Sequence, residues 1–155
     1  MSTLALKALE IAKTQLGFQE IPRGSNAGPA VEKYLKSVGL GKGYAWCEAF
    51  VYWCYQEASK QLGVSNPLKK TAGVLDQFNS SKKYVVKTPQ KGDLFIMDFG
   101  GGLGHIGFVD DTLKLKITTV EGNSNDDGSR EGYEVCQKPN GRKINTIKIS
   151  EETLE

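Results

Sequence analysis

Apolar residues recur at helical spacing through the first half of the chain and at alternating spacing through the second. Leu4 or Ala5, Ala8 or Leu9, Ala12 and Leu16 share one helical face, and Gly17 stands where such a helix stops. Residues 19–29 are rich in Pro, Gly, Ser and Asn and read as a loop, with Pro29 suited to the first turn of the next helix. Val31, Tyr34, Leu35 and Val38 form a second, shorter stripe that ends at Gly39. A third helix is predicted from about 45 to about 62, because Cys47, Phe50, Val51, Cys54, Ala58 and Leu62 follow the i, i+3, i+4, i+7 pattern and Gly63 provides a stop. A minor helix is predicted over 71–78, with Thr71 as its N-cap.

After Pro89 the period changes to two. Strands are predicted over 93–99, 105–110, 115–121, 132–138 and 144–149, and 84–87 is a further candidate. Asp110-Asp111 and Asn140-Gly141 are turn signals. Helices first, then strands joined by short turns, imply an α+β fold with an antiparallel sheet of about five or six strands.

Composition narrows the class. A chain of 155 residues with 39% hydrophobic and 25% charged residues fits one domain, 1–155, with room for a proper core. No internal repeat or low-complexity linker divides it. Its apolar runs fall short of the roughly 18 residues that a membrane span needs. The N-terminal residues lack a basic patch followed by an apolar run, so no signal peptide is expected. Synthesis in the cytoplasm follows, with export or release by another system if the target lies outside. Net charge is +2, from 20 basic and 18 acidic residues, which is too balanced to suggest nucleic acid as a partner. Three cysteines cannot all pair with one another, so at least one thiol is expected free.

Three short stretches hold residues suited to chemistry. Cys47 lies at the start of the third predicted helix, where unpaired N–H groups and a partial positive charge stabilise a thiolate. Cys54, two turns on, suits the core, and about 10 Å of helix keeps it from bridging Cys47. Cys136 has no evident chemistry. His105 is the only histidine of the chain. The glycines at 100–102 and 104 leave space before it, and Gly107 removes a side chain beside its ring. An imidazole titrates near neutral pH and so can serve as a general base. A histidine paired with Cys47 through one ring nitrogen needs an acceptor on the other. Glu121 is the natural candidate, and Asn123 would project to the same side if the strand continues. Either could hold the ring. No zinc-ligand spacing is present.

Trp46-Cys47-Glu48-Ala49-Phe50-Val51, Gly104-His105-Ile106-Gly107-Phe108-Val109 and Val120-Glu121-Gly122-Asn123 resemble, in order and spacing, the three motifs of the CHAP family, the cysteine, histidine-dependent amidohydrolases/peptidases. Gly92-Asp93-Leu94 also fits, and the stretch from Glu20-Ile21-Pro22 to Ser25-Asn26 is similar to small single-domain members. The resemblance implies a papain-like fold in which the nucleophile helix packs on an antiparallel sheet. It implies cleavage of an amide bond in bacterial peptidoglycan, either N-acetylmuramoyl–L-alanine or a peptide bond. By position, Cys47 matches the nucleophile, His105 the general base, Glu121 the residue orienting the histidine and Asn123 a further polar member. Some relatives bind calcium through an acidic loop near the N-terminus. No such cluster stands here, so no metal or other cofactor is expected.

The expected reaction runs through a thioester on Cys47, on a monomer acting at the cell wall. Phage lysin, phage tail component and antibacterial toxin are the settings considered, and a toxin would require a cognate inhibitor protein. Two other readings compete: a papain-like module that only binds cell-wall peptides, and a cysteine amidase with a different substrate. The substrate groove is expected among loops 19–29, 66–71 and 123–131.

Overall fold

Helices and strands segregate along the chain, as the change of period predicts. The computed structural model describes residues 3–112, 117–124, 132–140 and 145–149. Among them α1 (Thr3–Thr14), α2 (Pro29–Ser37), α3 (Cys47–Leu62) and α4 (Val74–Ser80) come first, followed by a 3-10 turn at Lys82–Tyr84. The strands are β1 (Val85–Val86), β2 (Leu94–Gly100), β3 (Leu103–Asp111), β4 (Ile117–Ser124), β5 (Glu134–Asn140) and β6 (Asn145–Ile147). They form one antiparallel sheet in the order β1-β6-β2-β3-β4-β5, so the fold is α+β. No helix among the described residues is long and apolar enough to cross a membrane.

Local chemistry explains where the elements differ from expectation. α1 stops at Thr14, and Leu16 lies beyond it, exposed. Gly17, at φ 91°, turns the chain so that its N–H donates to the Val135 carbonyl at 2.9 Å, which ties the helix end to β5. α4 begins at Val74 rather than Thr71, because the Thr71 hydroxyl accepts the Gly73 N–H at 3.1 Å and closes a turn ahead of the helix. Asp110 and Asp111 belong to β3, and a register irregularity between Val109 and Asp111 replaces the expected turn. The start of the strand predicted over 115–121, Ile144, Gly141 of the turn predicted after β5 and most of loop 123–131 lie outside the described residues.

The core sits between the helices and one face of the sheet. Leu94, Ile96, Ile106, Phe108 and Val120 are buried there with Phe50, Val51, Cys54 and Tyr55 of α3. The Phe108 ring lies 6.1 Å from Tyr55, stacked, and 6.4 Å from Phe50, edge-on. Burial of a side chain of this size contributes about 2–3 kcal/mol each. On the other sheet face, Phe95, Met97 and Val109 make a second, smaller cluster. Strand alternation puts His105 and Gly107 on this second face with them, since His105 pairs with Met97 and Gly107 with Phe95. All three cysteines are free thiols, with Cys47 and Cys54 buried.

β4 approaches the start of α3 closely. A Cβ on Gly122 would lie 2.7 Å from Cγ of Phe50, so no other residue fits there without displacing the Phe50 side chain. This contact holds Glu121 and Asn123, on either side of Gly122, near the helix end that begins with Cys47.

Candidate active site

The site is assembled from three elements, each supplying one of the expected groups. Cys47 is the first residue of α3, with Trp46 as N-cap and no side chain capping the helix. The first intrahelical bond runs from the Phe50 N–H to the Trp46 carbonyl at 2.8 Å. The N–H groups of the first turn, that of Cys47 included, therefore have no partner within the helix. Trp46 is fully buried, stacked on Tyr34 with centroids 5.6 Å apart. Its indole N–H donates to Glu20 Oε2 at 3.2 Å, while Glu20 Oε1 accepts the N–H groups of Gly24 and Asn26 at 2.9 and 3.1 Å. The loop before α2 thus grips the residue just ahead of Cys47.

His105 lies near the start of β3, and its Nε2 is 2.7 Å from Glu121 Oε1. Glu121 is fully buried on β4, and its Oε2 accepts the Thr119 hydroxyl. An acid bonded in this way fixes the tautomer: Nε2 carries a proton, and Nδ1 is the nitrogen left for Cys47. The Cys47 side chain is close enough to the His105 ring to act on its protonation. Burial of the imidazole works against its protonation, but the bonds to Cys47 and Glu121 outweigh that effect and push its pKa up from 6.5 to about 9. The Phe95 ring, with its centroid 6.0 Å away, forms one wall beside the imidazole. Gly107 makes room for this arrangement, since a Cβ there would lie 2.6 Å from the Phe95 ring and 2.9 Å from Glu121 Cγ.

Asn123 stands apart from this chain of bonds. It adopts φ 53° where the β4–β5 register shifts between Glu121 and Ser124, so the simple alternation that would align it with Glu121 is broken. It is buried, and its Oδ1 has no hydrogen-bond partner among the described residues. Of the two candidates for holding the imidazole, Glu121 is the one bonded to it.

Three polar groups escaped the reading of the sequence. Thr119 is one, although its place two residues before Glu121 on a strand puts both on one face. Glu20 is the second; it appeared only as part of a resemblance, not as the hub of a loop. The third is Glu48, a fully buried acid within the apolar run of α3. A charged residue inside an apolar helical stripe was the available signal. A cavity of about 630 Å³ lies elsewhere, between the 17–21 segment and α2, with Phe18, Ile21 and Lys33 on its walls. None of Cys47, His105, Glu121 or Asn123 lines it.

The model of one protein family, described as CHAP domain, matches residues 39–123, more than half of the chain and the whole span from the loop before Cys47 to Asn123. No curated protein and no solved structure matches the chain.

Proposed function

The chain belongs to the CHAP domain family, whose general activity is amide hydrolysis associated with peptidoglycan, and on that footing we propose that it is a cysteine-dependent amidase or endopeptidase of bacterial peptidoglycan. One observation supports this reading above the others: His105 Nε2 is bonded to Glu121, and Cys47 acts on the same ring to raise its pKa. Elements from both halves of the chain build this one site, in keeping with a single catalytic domain.

In this mechanism the proton of the Cys47–His105 pair rests on the imidazole, in line with a pKa pushed up to about 9. Cys47 Sγ attacks the amide carbonyl, and the C=O electrons move to oxygen. The Cys47 backbone N–H, free at the helix start, is placed to receive that oxyanion. As the C–N bond breaks, His105 donates its Nδ1 proton to the leaving amine, leaving a thioester. His105 then takes a proton from water, whose oxygen attacks the thioester carbonyl, and the carboxylic acid departs with Cys47 restored. Glu121 orients the ring and favours its charged state throughout, and Thr119 holds Glu121. Asn123, whose buried Oδ1 has no partner among the described residues, is a further polar member by its match to the family motif.

Cys47→Ala should abolish release of soluble fragments from purified sacculi with the circular dichroism spectrum unchanged. Hydrolysis surviving in that variant would overturn the mechanism. Mass spectrometry of the fragments released by the native chain identifies the bond that is cut.

A further inference from the structure

Glu48 directly follows Cys47, is fully buried, and takes no part in the steps above. Its Oε1 accepts a hydrogen bond from Gln77 Nε2 at 2.8 Å, and its Oε2 has no partner among the described residues. Gln77, itself fully buried on α4, fixes the sense of that bond. Gln77 Oε1 accepts the Lys69 N–H at 3.1 Å, so the other end of the amide is the nitrogen. Its two protons go to the Lys69 carbonyl at 2.7 Å and to Glu48. A carboxylate this deeply buried, with a single donor, is strongly disfavoured. Burial raises the Glu48 pKa well above the usual carboxylate range, the Gln77 bond opposes this only in part, and Cys47 and Asp76 add to the rise. Glu48 is therefore a neutral acid that accepts through Oε1.

The same helix that supplies Gln77 is seated on the strand that supplies His105. A Cβ on Gly104 would lie 3.1 Å from Val74 Cγ1 and 3.2 Å from Leu75 Cδ2, so α4 rests directly on the backbone just before His105. A continuous path runs from Cys47 through Glu48 and Gln77 to α4, and from α4 to His105. We propose that Glu48 is a positioning residue: through its bond to Gln77 it locks the first turn of α3 to α4, and so fixes the spacing between the Cys47 thiol and the His105 ring. A neutral acid suits this place, because a carboxylate would set a second negative charge beside the thiolate.

This inference rests on the reading of Cys47 and His105 as a reacting pair, and its test separates the two. The readout is alkylation of Cys47 in the full chain by iodoacetamide across pH, with the melting temperature of each variant measured alongside. In the native chain Cys47 should react faster than Cys54 near neutral pH; equal rates would remove the reacting pair and this inference together. Glu48→Ala should slow Cys47 alkylation near neutral pH by on the order of tenfold to a hundredfold and move its pH profile, as displacement of a reacting group does. Glu48→Gln keeps an acceptor for Gln77 and should restore the native rate and profile. An activated native Cys47 whose profile is unchanged in Glu48→Ala, even with a lowered melting temperature, overturns the inference alone. So does a Glu48→Gln variant as impaired as Glu48→Ala. Should Glu48→Ala fail to fold, Gln77→Ala breaks the same link from α4, and native alkylation there overturns the proposal.

Discussion

The two sides of the site are held by different forces. On the α3 side, Cys47 is placed mainly by packing, with the Glu48–Gln77 bond as one directional link: Trp46 stacks on Tyr34, Phe50 meets the Tyr34 and Phe108 rings edge-on, and Tyr55 stacks on Phe108. On the β3–β4 side, His105 is placed by a line of hydrogen bonds through Glu121 to Thr119, with a glycine where a side chain would intrude. Packing is non-directional and fixes where a backbone sits. Hydrogen bonds to an ionisable ring also fix which atom carries a proton and how firmly. Substitutions on the strand side should therefore change chemistry more than stability, and substitutions of the packed aromatic residues on the helix side the reverse.

Glu121→Gln is the sharpest way to break the strand side. It keeps the shape but removes the charge that favours the imidazolium, so hydrolysis of sacculi should fall by about a hundredfold or more. The His105 ring resonances should titrate at a lower midpoint, moving from about 9 toward the ordinary 6.5. Asn123→Ala should cost less activity than Glu121→Gln, because Asn123 is not bonded to the ring. The opposite order would exchange their roles.

Gly107→Ala attacks the same side through space. The added methyl collides with the Phe95 ring and with Glu121 Cγ, and overpacking of this kind costs about 1–3 kcal/mol. Activity should drop further than that destabilisation explains, because Glu121 must move away from His105. Full activity measured well below the variant's melting temperature would mean that the Glu121 position is not critical.

The order of Cys47, His105 and Glu121 was legible in the sequence because thiol, imidazole and carboxylate are chemically distinct, and only one histidine was available. α3 was legible because an apolar stripe sixteen residues long tolerates few other readings. Thr119 was not, since a threonine in a strand looks like any other β-branched residue filling a pleat. The Glu48–Gln77 bond joins residues 29 apart, and no local pattern announces such a pairing. The direction of Asn123 could be read only on the condition of a regular strand, and a residue at φ 53° in a register shift obeys neither of the regular periods from which side-chain direction is read.

A milder test compares the two sides through pH. His105 has a folded-state pKa of about 9, raised above its ordinary 6.5. Its pairing therefore stabilises the fold fully below the unfolded value, and that contribution is lost as pH rises through about 9. Urea unfolding of the native chain and of His105→Gln should show a stability gap in mildly acid solution that narrows on the alkaline side. Hydrolysis should fall over the same alkaline range, as the proton donor for the leaving amine is lost. A gap that widens with rising pH would contradict the charged-imidazole assignment.

The smallest effect is expected on the helix side. Trp46→Phe keeps an aromatic ring against Tyr34 but deletes the indole N–H that meets Glu20 Oε2. Glu20 retains the Gly24 and Asn26 N–H groups on its other oxygen, so the loop stays attached while one buried acceptor loses its partner. Loss of one partner from a buried polar pair costs about 1–3 kcal/mol, so the urea midpoint should move by a measurable but modest amount. The hydrolysis rate should stay close to native, because the aromatic packing and the Glu48–Gln77 bond still fix the start of α3. A large fall in rate with little change in stability would show that the placement of Cys47 depends on the directional Trp46–Glu20 bond rather than on the packing around Trp46, and the contrast between the two sides would collapse.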